Sequence, residues 1–253
     1  MFTGIVSAVA TVDEITGDDQ FKSFTLKFPS GFCDDLLVGA SVAVNGVCLT
    51  AVAEVDKDCW NFDVIYKSIT ATNLNNITVG QIVNVERSAR EGAEIGGHVV
   101  SGHVDCAGFV DTIIENGKNK CIRIGFPKEY AIYLFSQGFV AINGASLTIA
   151  DIGKSDCWIE VWLIPETRRS SNLDRLVIGD LVNIEIDRAT QVVVETIRDA
   201  IQNFCENYLA QKITTMSTEL LRERLLNEED TRSLAASIVN SKIVAIGNGG
   251  SKP

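Results

Sequence analysis

The sequence predicts an all-β fold, namely two tandem duplicated six-stranded Greek-key β-barrels followed by a C-terminal α-helical segment. Three observations predict it. The first 187 residues contain an internal repeat, apolar residues in both copies recur with the period of a strand, and the period becomes helical after residue 187. A chain of 253 residues is long enough for two domains and a helical extension.

The repeat is about 100 residues long. The segment 45–50 (Asn-Gly-Val-Cys-Leu-Thr) recurs as Asn-Gly-Ala-Ser-Leu-Thr at 143–148. Two further pairs of segments keep this displacement to within one residue, 3–6 with 101–104 and 83–86 with 182–185. A register held over so many positions indicates a tandem duplication, in which differences between the copies are informative. The sharpest difference is Cys48 in the first copy against Ser146 in the second.

Each copy consists of short apolar segments with period two or β-branched composition, separated by Gly, Asn and Asp every 8–12 residues. Examples lie at 41–44, 62–65, 82–85, 140–142 and 182–184. Short strands of this kind avoid exposed edges by closing into a barrel. We therefore expect barrels at 1–95 and 96–187, with room for short helices at 34–37 and 128–135.

Helical periodicity begins after Asp187. Apolar residues spaced by three and four positions form one narrow face, at Val194, Ile197, Ile201, Phe204 and Tyr208. The pattern predicts a helix over 188–210, which either packs on its own barrel or joins subunits. Residues 211–253 are expected to form an additional helical and flexible tail outside the repeat.

Composition narrows the class of protein. A net charge of −11 argues against nucleic-acid binding, which needs clustered Lys and Arg. Seven cysteines without Cys-x-x-Cys spacing indicate reduced thiols. The start has no signal-peptide pattern, and no apolar stretch reaches the roughly 18 residues of a membrane span. We expect a cytoplasmic protein without a membrane partner, and organellar import stays open.

Both histidines lie in the segment 96–103. On a strand His98 and His103 would point to opposite faces, which disfavours a shared metal ion. A lone histidine is most often structural. His103, however, corresponds to Ile5, so it lies in the first few residues of the second copy just as Ile5 lies in those of the first.

Cys48 follows the Asn45-Gly46 dipeptide, a strong signal for a tight hairpin turn. Thr50 lies two residues on and faces the same side of the strand. The second copy repeats the arrangement with Ser146 and Thr148. Each copy thus places one nucleophile-type side chain and one hydroxyl beside a turn, while no phosphate-binding glycine loop or zinc-protease motif is present.

Four segments resemble riboflavin synthase of the trimeric, α-chain type: 1–6, 39–50, 96–105 and 144–148. The resemblance covers residues 1 to about 205. It implies dismutation of two 6,7-dimethyl-8-ribityllumazine molecules into riboflavin and 5-amino-6-ribitylaminopyrimidinedione, the last step of riboflavin biosynthesis, without cofactor or metal. It also implies a homotrimer, held by the C-terminal helix, with active sites between the N-terminal barrel of one subunit and the C-terminal barrel of the next. Association with lumazine synthase stays open.

The resemblance also implies the site residues. The catalytic candidates are Ser41, Cys48, His103, Ser146 and Thr148, with His103 as a base and with Ser41 and Cys48 holding a nucleophile for the donor ring. The first pocket would be lined by Gly4, Ile5, Val6, Ser41, Cys48, Leu49, Thr50, Asp63, Val64, Ile65, Tyr66, Lys67 and Ser68. The second would be lined by Ser101, Gly102, His103, Ser146, Leu147, Thr148, Leu163, Ile164, Pro165, Glu166, Thr167 and Arg168, and Gln137 is a further binding candidate.

Four positions depart from the family pattern. Lys67-Ser68 replaces a common Glu-Thr, Gln137 replaces a Lys, and Asn143 stands where Asp is common. These departures leave a rival interpretation, a non-catalytic lumazine- or flavin-binding protein. A third class, a scaffolding protein, would rest on residues 206–253 alone.

Overall fold

The computed structural model describes residues 1–226 of the 253. Met1–Val194 form one compact unit, and a second unit begins at Glu195. The part of the expected tail from 227 onward lies outside the described residues.

The first copy is a closed six-stranded barrel with the neighbour order β1-β2-β5-β4-β3-β6, and every strand pair is antiparallel. Its strands are β1 (Ala8–Gly17), β2 (Phe21–Lys27), β3 (Ser41–Val44), β4 (Val47–Asp56), β5 (Cys59–Ile65) and β6 (Ile82–Arg87). A short helix, α1 (Tyr66–Ala71), and a 3-10 turn (Asn73–Asn76) connect β5 to β6.

The second copy repeats this order as β7-β8-β11-β10-β9-β12, again closed and antiparallel. Its strands are β7 (Cys106–Asn116), β8 (Asn119–Gly125), β9 (Phe139–Ile142), β10 (Ala145–Gly153), β11 (Trp158–Leu163) and β12 (Leu181–Ile186). Helix α2 (Pro165–Ser170) and a 3-10 turn (Asn172–Arg175) match α1 and its turn. The prediction of tandem six-stranded barrels is therefore confirmed.

The helical segments expected inside the barrels are shorter in the structure. Of 128–135, only Lys128–Ile132 is helical, and it is a 3-10 helix that follows Pro127. Helices of this type are seldom longer than about four residues, because their hydrogen-bond geometry is poorer than that of an α-helix. The segment 34–37 forms no helix and is a turn and loop.

Strand alternation fills each barrel with apolar side chains. Along β4, Val47, Leu49 and Ala51 are buried inside the barrel, whereas Cys48 is half-buried and Thr50 is exposed. Burying a side chain of the size of Leu stabilises the fold by roughly 1.5–3 kcal/mol. The inward residues therefore hold the barrel together and leave the outward ones available for a site.

A set of asparagines joins the two barrels. The backbone N–H groups of Asn84 and Asn183 donate to the Oδ1 atoms of Asn45 (2.9 Å) and Asn143 (2.8 Å) within each barrel. Their side chains donate across, from Asn84 Nδ2 to the Asn143 carbonyl (2.9 Å) and from Asn183 Nδ2 to the Asn45 carbonyl (2.8 Å). Asn143 thus supplies the acceptor oxygen that an Asp would supply, so this departure from the family pattern keeps the interaction.

The C-terminal helix, α3, spans Arg188–Leu226 without interruption. It therefore includes the predicted helix over 188–210 and continues into the start of the predicted tail, where no Gly or Pro interrupts it. Ile197, Ile201, Phe204 and Tyr208 on the predicted apolar face are exposed. In the described residues no helix is long and apolar enough to cross a membrane.

Candidate functional site

The first residues of the chain cross from the first barrel to the second. Glu86 on β6 accepts hydrogen bonds from the Thr3 N–H (2.6 Å), the Thr3 hydroxyl (2.7 Å) and the Gly4 N–H (3.1 Å). The Gly4 carbonyl then accepts from the Ser146 N–H of the second barrel (2.8 Å). Val6 packs against the core of that second barrel. The opening segment is therefore anchored on one barrel and presented to the other.

The second copy repeats this crossing in the opposite direction. Glu185 on β12 accepts from the Ser101 N–H (2.6 Å), the Ser101 hydroxyl (2.7 Å) and the Gly102 N–H (3.0 Å). The Gly102 carbonyl accepts from the Cys48 N–H of the first barrel (2.8 Å), and Val104 packs on the first core. A Cβ on Gly102 would lie 2.6 Å from the Cys48 Cβ, so this approach requires glycine.

This exchange changes the expected grouping of candidates. The sequence groups Gly4 and Val6 with Cys48, and Gly102 and His103 with Ser146. The structure instead brings Gly4 to Ser146 and Gly102 to Cys48. The reason is the bridge between Phe2 and Val100, which pairs the two opening segments with each other so that each passes over to the other barrel.

The first candidate site lies on the outer face of β3, β4 and β5. Thr50 is paired in register with Ser41 on one side and with Asp63 on the other, which places three polar side chains in a row. Cys48 is half-buried against a small apolar cluster between the barrels. His103 is exposed and follows Gly102 directly. Ser41, Cys48, Thr50 and His103 are thus brought to one region.

Four cysteines of the barrels have a raised thiol pKa. Burial raises the pKa of the Cys33 and Cys121 thiols to about 11 and that of Cys106 to about 12, and it also raises the pKa of Cys59. Those thiols are protonated near neutral pH and unsuited to nucleophilic chemistry. Cys48 differs from these four in its place, because it pairs with Ala43 of β3 at the start of β4, directly after the Asn45-Gly46 turn.

The second candidate site lies on the equivalent face of β9, β10 and β11. Ser146 is half-buried and Thr148 is exposed. His98 Nδ1 lies 2.6 Å from Ser146 Oγ, and its ring stacks on Phe139 with centroids 5.3 Å apart. His98 and His103 indeed point to different places, but the segment that carries them is an irregular crossing and not a strand. Ile5 lies beside this site, since a Cβ on Gly96 would contact it at 3.4 Å.

Several candidates do not present their side chains to either site. Those of Leu49, Val64, Leu147 and Leu163 are buried in the barrel cores. They take the inward positions of strands whose outward positions form the sites, so a ligand can meet them only through the backbone. Gln137 is exposed, with a φ of 67°, and its N–H donates to the Ile149 carbonyl to close a turn.

The segments after β5 and β11 differ in charge. Tyr66 and Lys67 are exposed at the start of α1, as is the side chain of Ile65. In the second copy Glu166 forms a 2.5 Å ion pair with Arg169, and this contact lowers the pKa of Glu166. The remaining candidates here are Ser68 and Thr167, which are half-buried, and Ile164 and Pro165, which are exposed.

Arg168 belongs to a network of its own. Its guanidinium pairs with Asp174 at 2.7 Å and with Glu115 at 3.0 Å. The carboxylates hold Arg168 against the second barrel. Its charge is therefore paired within the chain, where it keeps α2 in place, and a ligand would have to compete with these ion pairs.

Both sites are open and rimmed by apolar side chains. Ile65 and Tyr66 are 61% and 51% exposed near the first site, and Ile5 and Ile164 are 49% and 58% exposed near the second. A cavity of about 460 Å³ lies elsewhere, between the barrels, and none of the candidate residues lines it. A flat planar ligand bound at either site would leave one face uncovered by this chain.

Sequence reasoning missed three anchoring residues, Glu86, Glu185 and Arg188. Burial raises the pKa of both glutamates, and the hydrogen bonds from Thr3 and Ser101 partly oppose that rise. Arg188 pairs with Asp105 (2.9 Å) and also donates to the His103 carbonyl, so the first residue of α3 holds the His103 turn. The repeated Glu86 and Glu185 were a visible signal, but only the fold shows what they bind.

The described residues contain no cluster of three or more His, Cys, Asp or Glu side chains able to hold a metal ion. The groups that the two related surfaces present are the Cys48 thiol, the hydroxyls of Ser146 and the threonines, and imidazole.

Both copies of the repeat match a known family of domains. The family described as "Lumazine binding domain" matches residues 3–88 and again 101–187. The riboflavin synthase of Buchnera aphidicola subsp. Schizaphis graminum (strain Sg) is 40% identical over 204 residues, 80% of this chain and 96% of that relative. That of Escherichia coli (strain K12) is 38% identical over 198 residues, covering 78% and 92%.

Solved structures show the same likeness. LumP complexed with riboflavin has a TM-score of 0.69 and 28% identity, over 74% of this chain and 99% of that chain. LumP complexed with 6,7-dimethyl-8-(1'-D-ribityl) lumazine has a TM-score of 0.67 and 27% identity over the same shares. These neighbours are therefore less similar in sequence than the two synthases.

Proposed function

This chain belongs to the riboflavin synthase family, and we propose that it converts two molecules of 6,7-dimethyl-8-ribityllumazine into riboflavin and 5-amino-6-ribitylaminopyrimidinedione. The observation that carries the proposal is a duplicated site with unlike chemistry. Cys48 and His103 lie on the first barrel, and Ser146 and Thr148 occupy the equivalent face of the second. Two identical substrates with different roles need two related but unequal sites.

One lumazine donates four carbons and the other accepts them. The donor ring requires a nucleophile at C7, and we assign it to the first barrel, where Ser41 and Cys48 can hold a hydroxyl, water or thiolate. The acceptor then occupies the second barrel, with Ser146 and Thr148. His103 is the candidate base for the acidic proton of a lumazine 7-methyl group, because imidazole titrates near neutral pH.

We further propose that the site is completed by a second subunit in a homotrimer. The support is twofold. Exposed apolar residues rim both candidate sites, each of which we call a half-site because it would form half of a complete site. The residues of the apolar face of α3 are also exposed in the single chain. Stacking two lumazines between the first barrel of one subunit and the second barrel of its neighbour would exclude water and fix their relative pose, which contributes to rate by orientation. We place the trimer in the cytoplasm.

A non-catalytic lumazine binder is the second candidate, favoured by the likeness to LumP complexed with lumazine. The identity to synthases is higher, and both half-sites retain their polar groups, so synthesis is the better supported function.

The test is an absorbance assay with purified full-length protein, the lumazine and no added cofactor. We expect one riboflavin for two lumazines consumed, and a fall in turnover for Cys48→Ser with lumazine still bound. Cys121→Ser, a buried thiol in the other barrel, is the matched control and should leave turnover unchanged. Fluorescent binding without turnover would establish the binder, and unchanged turnover in Cys48→Ser would refute the role of the thiol.

A further inference from the structure

His98 is buried beside the Ser146 hydroxyl. It is 7% exposed, its Nδ1 lies 2.6 Å from Ser146 Oγ, and its ring stacks on Phe139 at an interplanar angle of 14°. Gly97 makes this approach possible, since a Cβ there would lie 2.6 Å from the Ser146 Cβ. The chain therefore holds the His98 imidazole within hydrogen-bond distance of the Ser146 hydroxyl. The proposed mechanism assigns this imidazole no role.

The first barrel has no such arrangement. Cys48 is the counterpart of Ser146, and in the described part of the chain no side chain hydrogen-bonds to its thiol sulfur. The other histidine, His103, follows the crossing segment at Cys48 and is exposed, whereas His98 is enclosed. The buried imidazole is thus specific to the second half-site.

The surroundings of His98 indicate its protonation. Burial lowers the pKa of His98, and the carboxylate of Asp187 opposes this only in part, so the ring is neutral near pH 7. Its Nε2 is buried, and in the described residues it has no hydrogen-bond partner. Buried N–H groups without an acceptor are rarer than acceptors without a donor. The single proton is therefore assigned to Nδ1, which donates to Ser146 Oγ.

We propose that His98 is a positioning residue for the reaction. By donating from Nδ1 to Ser146 Oγ, it turns the Ser146 hydroxyl proton outward, toward the ring bound on the second barrel. The inference rests on the proposed function and adds that the ring on the second barrel is the one that loses a 7-methyl proton and gains negative charge. A hydroxyl with a fixed direction stabilises such charge without reorganising. Among the described residues the thiol of Cys48 has no partner of this kind, and the two barrels therefore treat identical substrates differently.

Two substitutions separate the hydrogen bond from the packing. His98→Phe keeps an aromatic ring against Phe139 but removes the donor, whereas His98→Asn places an amide nitrogen near the position of Nδ1. We expect His98→Phe to lower kcat by about tenfold to a hundredfold, as for loss of one hydrogen bond that acts in the transition state. His98→Asn should stay within about threefold of the unchanged protein.

A double-substitution cycle shows whether His98 acts through Ser146. Ser146→Ala should lower kcat, and adding His98→Phe to it should lower kcat no further, since the partner of the imidazole is already gone. Additive losses, equal losses in the Phe and Asn variants, or full activity of Ser146→Ala would overturn the inference. Thermal melts of all variants identify any that fail to fold.

A second readout separates this inference from the proposed function. Fluorescence titration with the lumazine should show one of two sites weakened in His98→Phe and restored in His98→Asn. If the unchanged protein binds lumazine without making riboflavin, the proposed function fails, and this selective weakening still tests the placement of His98 at the second site. Equal affinity of both sites in all variants would overturn it.

Discussion

Two buried carboxylates hold the crossing segments in place. Glu86 receives three hydrogen bonds from Thr3 and Gly4, and Glu185 receives three from Ser101 and Gly102. Each carboxylate accepts from consecutive backbone N–H groups, which no neutral side chain of similar length can do as fully. These residues therefore act on the sites indirectly, by fixing the segments that touch Cys48 and Ser146.

We predict that Glu86→Ala destabilises the protein by about 1–3 kcal/mol, because buried donors of Thr3 and Gly4 lose their acceptor. Chemical denaturation measures the change. Glu54→Ala, an exposed glutamate on β4, is the matched control and should stay within about 0.5 kcal/mol. Equal effects of the two substitutions would show that the anchor is unimportant for stability.

The hairpin turns between β3 and β4 and between β9 and β10 meet at the junction of the barrels. Gly46 and Gly144 have φ values of 81° and 80° and face each other. A Cβ on Gly46 would lie 2.7 Å from the backbone nitrogen of Gly144. The glycines are thus required twice, by their left-handed conformation and by the contact between the two turns.

At the element scale we predict that Gly46→Ala destabilises the protein more than Gly80→Ala. Gly80 has a similar φ of 88° but open space around it, so it reports conformational strain alone, on the order of 1–2 kcal/mol. Gly46→Ala adds a backbone clash and should roughly double that loss, since overpacking costs a further 1–3 kcal/mol. Equal midpoints in urea for the two variants would contradict the contact between the turns.

At the scale of the whole molecule, the single chain leaves large apolar surfaces uncovered. They lie around both half-sites and along α3, where Ile201 and Phe204 are 59% and 68% exposed. Extended apolar patches on a soluble protein usually mark an interface. A trimer with shared sites requires such apolar surfaces, because they would be buried between its subunits.

We therefore predict that Ile201→Asp reduces the proposed trimer to smaller species and lowers synthase activity with it. Asn203→Asp introduces the same charge on the opposite face of α3 and should leave the trimer intact. Light scattering coupled to size-exclusion chromatography gives the mass of each variant. A trimer that survives Ile201→Asp would place the subunit contact elsewhere.

The sequence by itself determined the duplication, the two barrels, the helix and the identity of the outward residues on β4 and β10. These depend on local periodicity, on turn dipeptides such as Asn45-Gly46 and on a repeat that is visible without a fold. The sequence also singled out Cys48, His103 and Ser146, through the asymmetry between copies and the family resemblance.

Only the tertiary structure decided which segment reaches which half-site. The bridge between Phe2 and Val100 and the carboxylates of Glu86 and Glu185 send each opening segment to the opposite barrel. The same crossing places His98 beside Ser146, whereas the sequence indicates no more than a structural histidine at this position. Contacts between residues some 50 to 100 positions apart depend on how two closed barrels pack, and strand periodicity carries no information about that packing.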